Sequence, residues 1–234
     1  MKPNWKYIIL FVILAFGISA PIHLGYFDQC FKTITKGWII SDSVYFIAGL
    51  GPFFAGVTAL IFQKSISDRI TLCGSEPLKN ILIALIPLFS FSIIGLENSK
   101  GIDVHYYAFI YASFNTIYAF LEEFGWRRYL QNALDGINKN WAYLLIATIW
   151  WIWHLRFETQ FDLFIFPIIC IGGGFLLGKL ANDTRSILPV VSMHTLIILL
   201  TNSGAVTMNK MIGVGMTIIG WIIVEQIWKR KKNG

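Results

Sequence analysis

Eight apolar stretches, each about long enough to cross a bilayer as a helix, constrain this chain more than any other feature. A helix rises about 1.5 Å per residue, so a hydrocarbon core about 30 Å thick needs about 20 apolar residues. We therefore predict an all-α fold, a polytopic membrane helix bundle of about eight transmembrane helices. The predicted spans are residues 5–26, 38–63, 79–96, 105–134, 140–157, 161–181, 186–203 and 208–228.

The composition argues against a water-soluble protein. Hydrophobic residues make up 56% of the chain and charged residues only 14%, whereas a soluble domain has about 25% charged residues. The connections between the spans are short, and no Gly/Ser-rich linker or repeat divides them. We predict one membrane-embedded domain over residues 1–234, with a motif-bearing core over about residues 105–205.

The distribution of positive charge predicts the orientation of the spans. With eight spans, fourteen of the 19 Lys and Arg residues fall on the side of the two termini, including the run 229–232 after the last span. Because cytoplasmic loops carry the excess of Lys and Arg, both termini are expected in the cytoplasm of a multi-pass protein of the cell membrane. No basic stripe with interleaved aromatic residues is present, so the bilayer is the expected partner and nucleic acid is not.

The fourth stretch carries four charges where lipid is expected. Ionisable side chains within a span are costly, so each one is a functional hypothesis. Glu123 and Arg127 are four residues apart, which favours a pair on one helix face. Glu122 has Trp126 at that spacing and no basic partner, so it is left free to act as a base toward water. The alternative is that these charges form a solvated helix tip where the span leaves the membrane.

Two histidines within apolar spans support a site rather than a helix tip. His154 lies in the fifth stretch, four residues after Trp150, and His194 lies in the seventh. A neutral imidazole can accept a proton, donate to an oxyanion or bind a metal, and each role suits hydrolysis within a membrane. His23 and His105 lie near span ends, where interfacial positions are expected.

Together the three motifs resemble the CPBP intramembrane proteases, a family that includes CAAX prenyl endopeptidases and bacterial Abi proteins. Residues 122–127 read EEFGWR and resemble the EExGWR subtype. The second motif is the aromatic Trp150 with His154 on the next span, and the third is His194 two spans later. Each motif alone is weak, whereas the three in this order form a specific pattern.

The resemblance implies an eight-helix core and hydrolysis of a peptide bond in a membrane peptide or protein. Glu122 matches the residue that activates water, and His154 matches the residue that assists it. His194 matches an oxyanion-stabilising residue, while Glu123 and Arg127 match positions that organise the site. The cofactor is left open, because a metalloprotease-like mechanism with a divalent metal such as zinc on Glu122, His154 and His194 and a metal-free mechanism are both compatible with the family.

Two departures from the family pattern keep a second function in view. Ile198 stands where members often carry Asn or another polar residue, with Thr195, Thr201 and Asn202 as nearby polar alternatives. Arg128 stands where Gly is common, and the sequence offers no partner for its charge. A non-catalytic membrane-binding protein or bacteriocin-immunity-type protein on the same fold is the alternative. A transporter with a glutamate proton relay ranks last, because no inverted repeat is evident.

Overall fold

The computed structural model describes residues 2–63, 65–201 and 205–233, and within them the chain is all-helical with no strand. This confirms the predicted class, a helical membrane bundle. Lys64 and Asn202 lie outside the described residues. The helices are α1 (Trp5–His23), α2 (Asp28–Ile34), α3 (Leu50–Phe62), α4 (Pro77–Ile94), α5 (Val104–Glu123), α6 (Lys139–Trp153), α7 (Phe166–Thr184), α8 (Leu188–Thr201) and α9 (Met208–Asn233).

Each predicted span has a helical counterpart in the described parts of the chain. Five segments are long and apolar enough to cross a membrane, namely Trp5–His23, Val44–Phe62, Pro77–Ile94, Phe161–Thr184 and Met208–Lys231. Helices α6 and α8 have only 15 and 14 residues, and α5 is rich in tyrosine. Of these three helices, α8 is apolar and is left out of the five by its length.

The chain between the first two spans differs from the prediction. α1 ends at His23, and the next span begins as a 3₁₀-helix, Val44–Gly49, rather than at residue 38. The intervening residues form the short helix α2, which the apolar pattern did not predict. Tyr26 and Trp38 are exposed here, as expected for aromatic side chains at a membrane interface.

The predicted fourth span, residues 105–134, continues as a helix through its charged motif, but the type of helix changes there. After α5 the chain widens into a π-helix, Phe124–Gln131. At Gly125 a Cβ atom would lie 2.4 Å from the carbonyl oxygen of Pro52, so only glycine lets α3 approach so closely. π-Helical turns within α-helices are frequent at functional sites.

The fifth span ends earlier than predicted. α6 stops at Trp153, so His154 lies at the helix end rather than within the span. The next residue, Leu155, has a φ of 51°, which turns the chain away from the helix axis. Glycine at position 174 allows α7 to pack closely against α6, because a Cβ on Gly174 would lie 2.5 Å from the Cβ of Ala147.

The cytoplasmic position of both termini remains a prediction, and native cysteines can test it. Cys30 is exposed on α2, which the predicted order of spans places on the side opposite to the termini. In a Cys73→Ser chain, we expect a membrane-impermeant maleimide to label Cys30 in intact cells. In a chain that also carries Cys30→Ser and Lys231→Cys, labelling is expected only after permeabilisation. The reverse pattern would overturn the orientation.

Candidate active site

The carboxylates of the glutamate pair are completely buried where α5 passes into the π-helix. Glu122 and Glu123 are both 0% exposed. The alternative that they form a solvated helix tip is therefore wrong. Burying two adjacent carboxylates is costly unless each is hydrogen-bonded or paired, so their partners define the site.

Glu123 links two helices through an ion pair and a histidine. Arg127 Nε donates to Glu123 Oε2 at 2.9 Å, which is the predicted pair at i, i+4. The other oxygen, Oε1, lies 2.8 Å from His194 Nδ1 on α8. The histidine contact was not predicted, because 71 residues separate its partners. Glu123 thus fixes the imidazole of His194 and is not itself free.

Glu122 has no basic partner at i+4, as expected from its spacing, but two indoles hold its carboxylate. Trp126 Nε1 and Trp150 Nε1 donate to Glu122 Oε2 at 3.2 and 2.7 Å. Oε1 is buried and has no hydrogen-bond partner among the described residues. The helical spacing could have revealed Trp126 as a donor. The result is a carboxylate fixed through one oxygen, with the other available.

His154 is held by the backbone of its own helix. Its Nδ1 lies 2.7 Å from the carbonyl oxygen of Trp150. A carbonyl oxygen can only accept, so Nδ1 carries the hydrogen, and in the neutral ring Nε2 has the lone pair. The ring of Phe166 packs edge-on against His154 at 4.9 Å between centroids. Nε2 of His154 is thus a proton acceptor on a ring whose orientation is fixed.

Trp150 brings the three predicted catalytic residues together. Its indole donates to Glu122, and its ring centroid lies 5.4 Å from that of His154 and 5.5 Å from that of His194. His194 donates through Nδ1 to a carboxylate, so its Nε2 can donate only when the ring carries both protons. An acid and two histidines from three helical segments therefore surround one aromatic ring.

Two other residues of this region, His23 and Tyr118, were not predicted as part of it. His23 was expected at the interface but packs edge-on against Trp153 at 4.5 Å, with its ring 6.1 Å from that of His154. Tyr118 is buried, and its ring lies 6.5 Å from that of His194. Outside the site, Asp68 is the partner of Arg128, with Nη2 and Oδ1 2.7 Å apart. Nothing in the local sequence indicates these long-range contacts.

The polar alternatives to Ile198 differ in position. Ile198 is buried in an apolar cluster that also contains Tyr118. The Thr195 hydroxyl is buried without a hydrogen-bond partner in the described part of the chain. Thr201 donates to the carbonyl oxygen of Ile197 within α8, and Asn202 lies outside the described residues. The α8 wall at position 198 is therefore apolar.

The predicted metal ligands are a poor match to a metal centre. Among the described residues, no group of three or more His, Cys, Asp or Glu side chains is arranged to hold a metal ion. Nδ1 of His154 and Nδ1 of His194 are hydrogen-bonded, which leaves Nε2 as the ring nitrogen of each that could bind a metal. The steps derived below therefore use protein side chains and water alone.

The fold and the site together define a multi-pass helical membrane protein with a buried acid–histidine centre. Residues 103–200 match the Rce1-like family, described as type II CAAX prenyl endopeptidase Rce1-like. The matched segment runs from the residue that caps α5 to the end of α8 and contains every predicted site residue. This match agrees with the resemblance to CAAX proteases that the motifs of this segment indicated. A comparison with curated proteins found no match.

Proposed function

We propose that the chain is an intramembrane endopeptidase that hydrolyses a peptide bond of a membrane-associated peptide or protein. The convergence of Glu122, His154 and His194 around the Trp150 ring carries this proposal. The match of residues 103–200 to a protease family supports it. Because the site is buried among membrane helices, the substrate must reach it from the bilayer or its interface.

Glu122 acts as the base for the attacking water. Its Oε2 is held by two indole N–H groups, whereas Oε1 is unengaged and faces the site. A water on Oε1 gives up a proton while its oxygen forms a bond to the carbonyl carbon of the substrate. General-base help of this kind contributes about 10²–10⁴ in rate. The product of this step is a tetrahedral intermediate with a negatively charged oxygen.

The two histidines serve the second half of the reaction. His194 carrying both protons donates from Nε2 to the oxyanion, while Glu123 accepts from its Nδ1. His154 Nε2 receives the proton from Glu122 and passes it to the amine as the C–N bond breaks. The products are a carboxylic acid and an amine, so protons balance over the cycle. Glu123 and Arg127 act through His194 and are positioning residues.

A non-catalytic role remains the second candidate, and one observation favours it. Ile198 presents a buried apolar side chain where many members of the family have a polar one. A site that lacks one hydrogen-bond donor would stabilise an oxyanion weakly. Such a site would then bind a membrane partner without cleaving it. The two functions differ in whether the chain's cellular phenotype depends on the chemistry of the Glu122 carboxylate.

Exchange of His154 tests the enzymatic proposal. In proteoliposomes, His154→Gln is expected to lower cleavage by about 10²-fold, as for loss of an acid–base group. The probes are a farnesylated CAAX-type peptide and an unprenylated transmembrane peptide, followed by mass spectrometry. His105→Gln is the matched control, because His105 is exposed at the start of α5. A parallel sample treated with a zinc chelator is expected to keep its activity.

Two outcomes would contradict this proposal. If neither probe is cleaved by the parent protein, the endopeptidase assignment fails for both substrate classes. If His154→Gln cleaves as well as His105→Gln, His154 has no role in proton transfer. Loss of activity on chelation, restored by zinc, would replace the metal-free steps with a metal-dependent mechanism.

A further inference from the structure

Tyr118 is a buried polar residue of α5 that the steps above do not use. Its side chain is 6% exposed, and it lies four residues before Glu122, on nearly the same helix face. Side chains of an α-helix lean toward its N-terminus. The carboxylate of Glu122 therefore leans toward the phenol of Tyr118.

The contact between these two groups follows from this geometry. Tyr118 and Glu122 are close enough to interact electrostatically, and Oε1 of Glu122 has no hydrogen-bond partner in the described chain. Because they are one helical turn apart on nearly the same face, both groups can reach the space in which the attacking water is proposed to lie. The ring of His194 lies 6.5 Å from the ring of Tyr118 and borders this space from α8.

The surrounding structure fixes the Tyr118 ring. A Cβ on Gly49 would lie 3.1 Å from Tyr118 Cδ2, so the 3₁₀-helix packs directly on the ring. Tyr45 packs edge-on against it at 5.6 Å between centroids. A group held by such packing loses little entropy when it acts, which is the basis of preorganised catalysis.

The opposite wall cannot supply the same hydrogen bond at position 198. Ile198 belongs to the same apolar cluster as Tyr118 and has no polar atom in its side chain. Tyr118, in contrast, carries a hydroxyl that can donate a hydrogen bond, and its ring lies 6.5 Å from that of His194.

We propose that Tyr118 is a catalytic residue that donates its phenolic hydrogen to the oxygen of the scissile carbonyl as this oxygen becomes negative. Tyr118 acts together with His194. It supplies from α5 a hydrogen-bond donor that α8 lacks, because Ile198 stands at that position of α8. This inference rests on the proposed endopeptidase function. No bond is made or broken at Tyr118, which keeps its proton and stabilises the intermediate by a hydrogen bond.

Tyr118→Phe tests the proposal because it removes only the hydroxyl. Loss of one oxyanion donor lowers kcat by about 10²–10³-fold, and we expect this loss with little change in KM for the probe peptide that the parent cleaves. Tyr111→Phe is the matched control, since Tyr111 is another buried tyrosine of α5 whose hydroxyl is hydrogen-bonded to that of Tyr45. A structural role would instead lower thermal stability similarly in both variants.

The remaining outcomes separate this inference from the proposed function. Parent-level kcat in Tyr118→Phe, with Glu122→Gln inactive, overturns the role of Tyr118 and leaves the endopeptidase intact. Parent-level cleavage by Glu122→Gln overturns the proposed function itself. If Thr195→Val lowers kcat and Tyr118→Phe does not, the donor lies on α8. An infrared carboxyl band of Glu122 that shifts in Tyr118→Phe but not in Tyr111→Phe supports the contact independently of activity.

Discussion

Glu122→Gln is expected to lower the rate of peptide cleavage by about 10²–10⁴-fold, the range for loss of a general base. A glutamine keeps one oxygen to accept from the indoles of Trp126 and Trp150, so the packing around position 122 is retained. Its amide nitrogen replaces Oε1 and cannot take a proton from water. The change therefore removes the chemistry of the side chain and leaves its size and its anchoring hydrogen bonds.

The measurement is kcat in proteoliposomes, with thermal unfolding of each purified variant to show that it folds. Glu158→Gln is the control, because Glu158 is exposed and loses the same charge. Equal rates for the Glu122 and Glu158 variants would contradict the assignment of the base. If the cellular phenotype of the parent also survives in Glu122→Gln, the chain acts as a membrane-binding or immunity-type protein.

Features that depend on local periodicity could be predicted from the sequence. The helical class follows from the apolar stretches, because a backbone in lipid must satisfy its own hydrogen bonds. The Glu123–Arg127 pair follows from its spacing of four residues on a helix. The absence of a basic partner for Glu122 follows from the same geometry. For the two glutamates, the information lies within about one turn of one helix.

Features that depend on contacts between helices could not be predicted in this way. Trp150 reaches Glu122 across 28 residues, and His194 reaches Glu123 across 71. His23, at the end of α1, packs beside His154 at the end of α6. No sequence pattern around His23 predicts this contact. The close approach of Pro52 to Gly125 in the π-helix is a property of two spans together. These are tertiary contacts between helices, whereas the pattern of apolar residues in a span describes only that helix.

Arg127→Ala is expected to destabilise the protein more than any other single change considered. Arg127 and Glu123 both have side chains about 1% exposed. Removal of the guanidinium leaves the Glu123 carboxylate buried with only His194 beside it. Breaking a buried pair by removing one partner costs about 3–5 kcal/mol. The free energy of unfolding, measured by titration of detergent-solubilised protein with a denaturing detergent, should fall by this amount.

The next residue provides the control for this prediction. Arg128 pairs with Asp68, and the two side chains are 18% and 73% exposed; a pair with one partner open to solvent is worth about 0–1 kcal/mol. Arg128→Ala should therefore lower the free energy of unfolding only slightly, although the two variants lose the same charge from adjacent positions. Equal effects would mean that Glu123 finds another partner or becomes protonated when Arg127 is absent. In that case the imidazole of His194 would no longer be fixed by an ion pair, and its orientation would have to come from packing against Trp150.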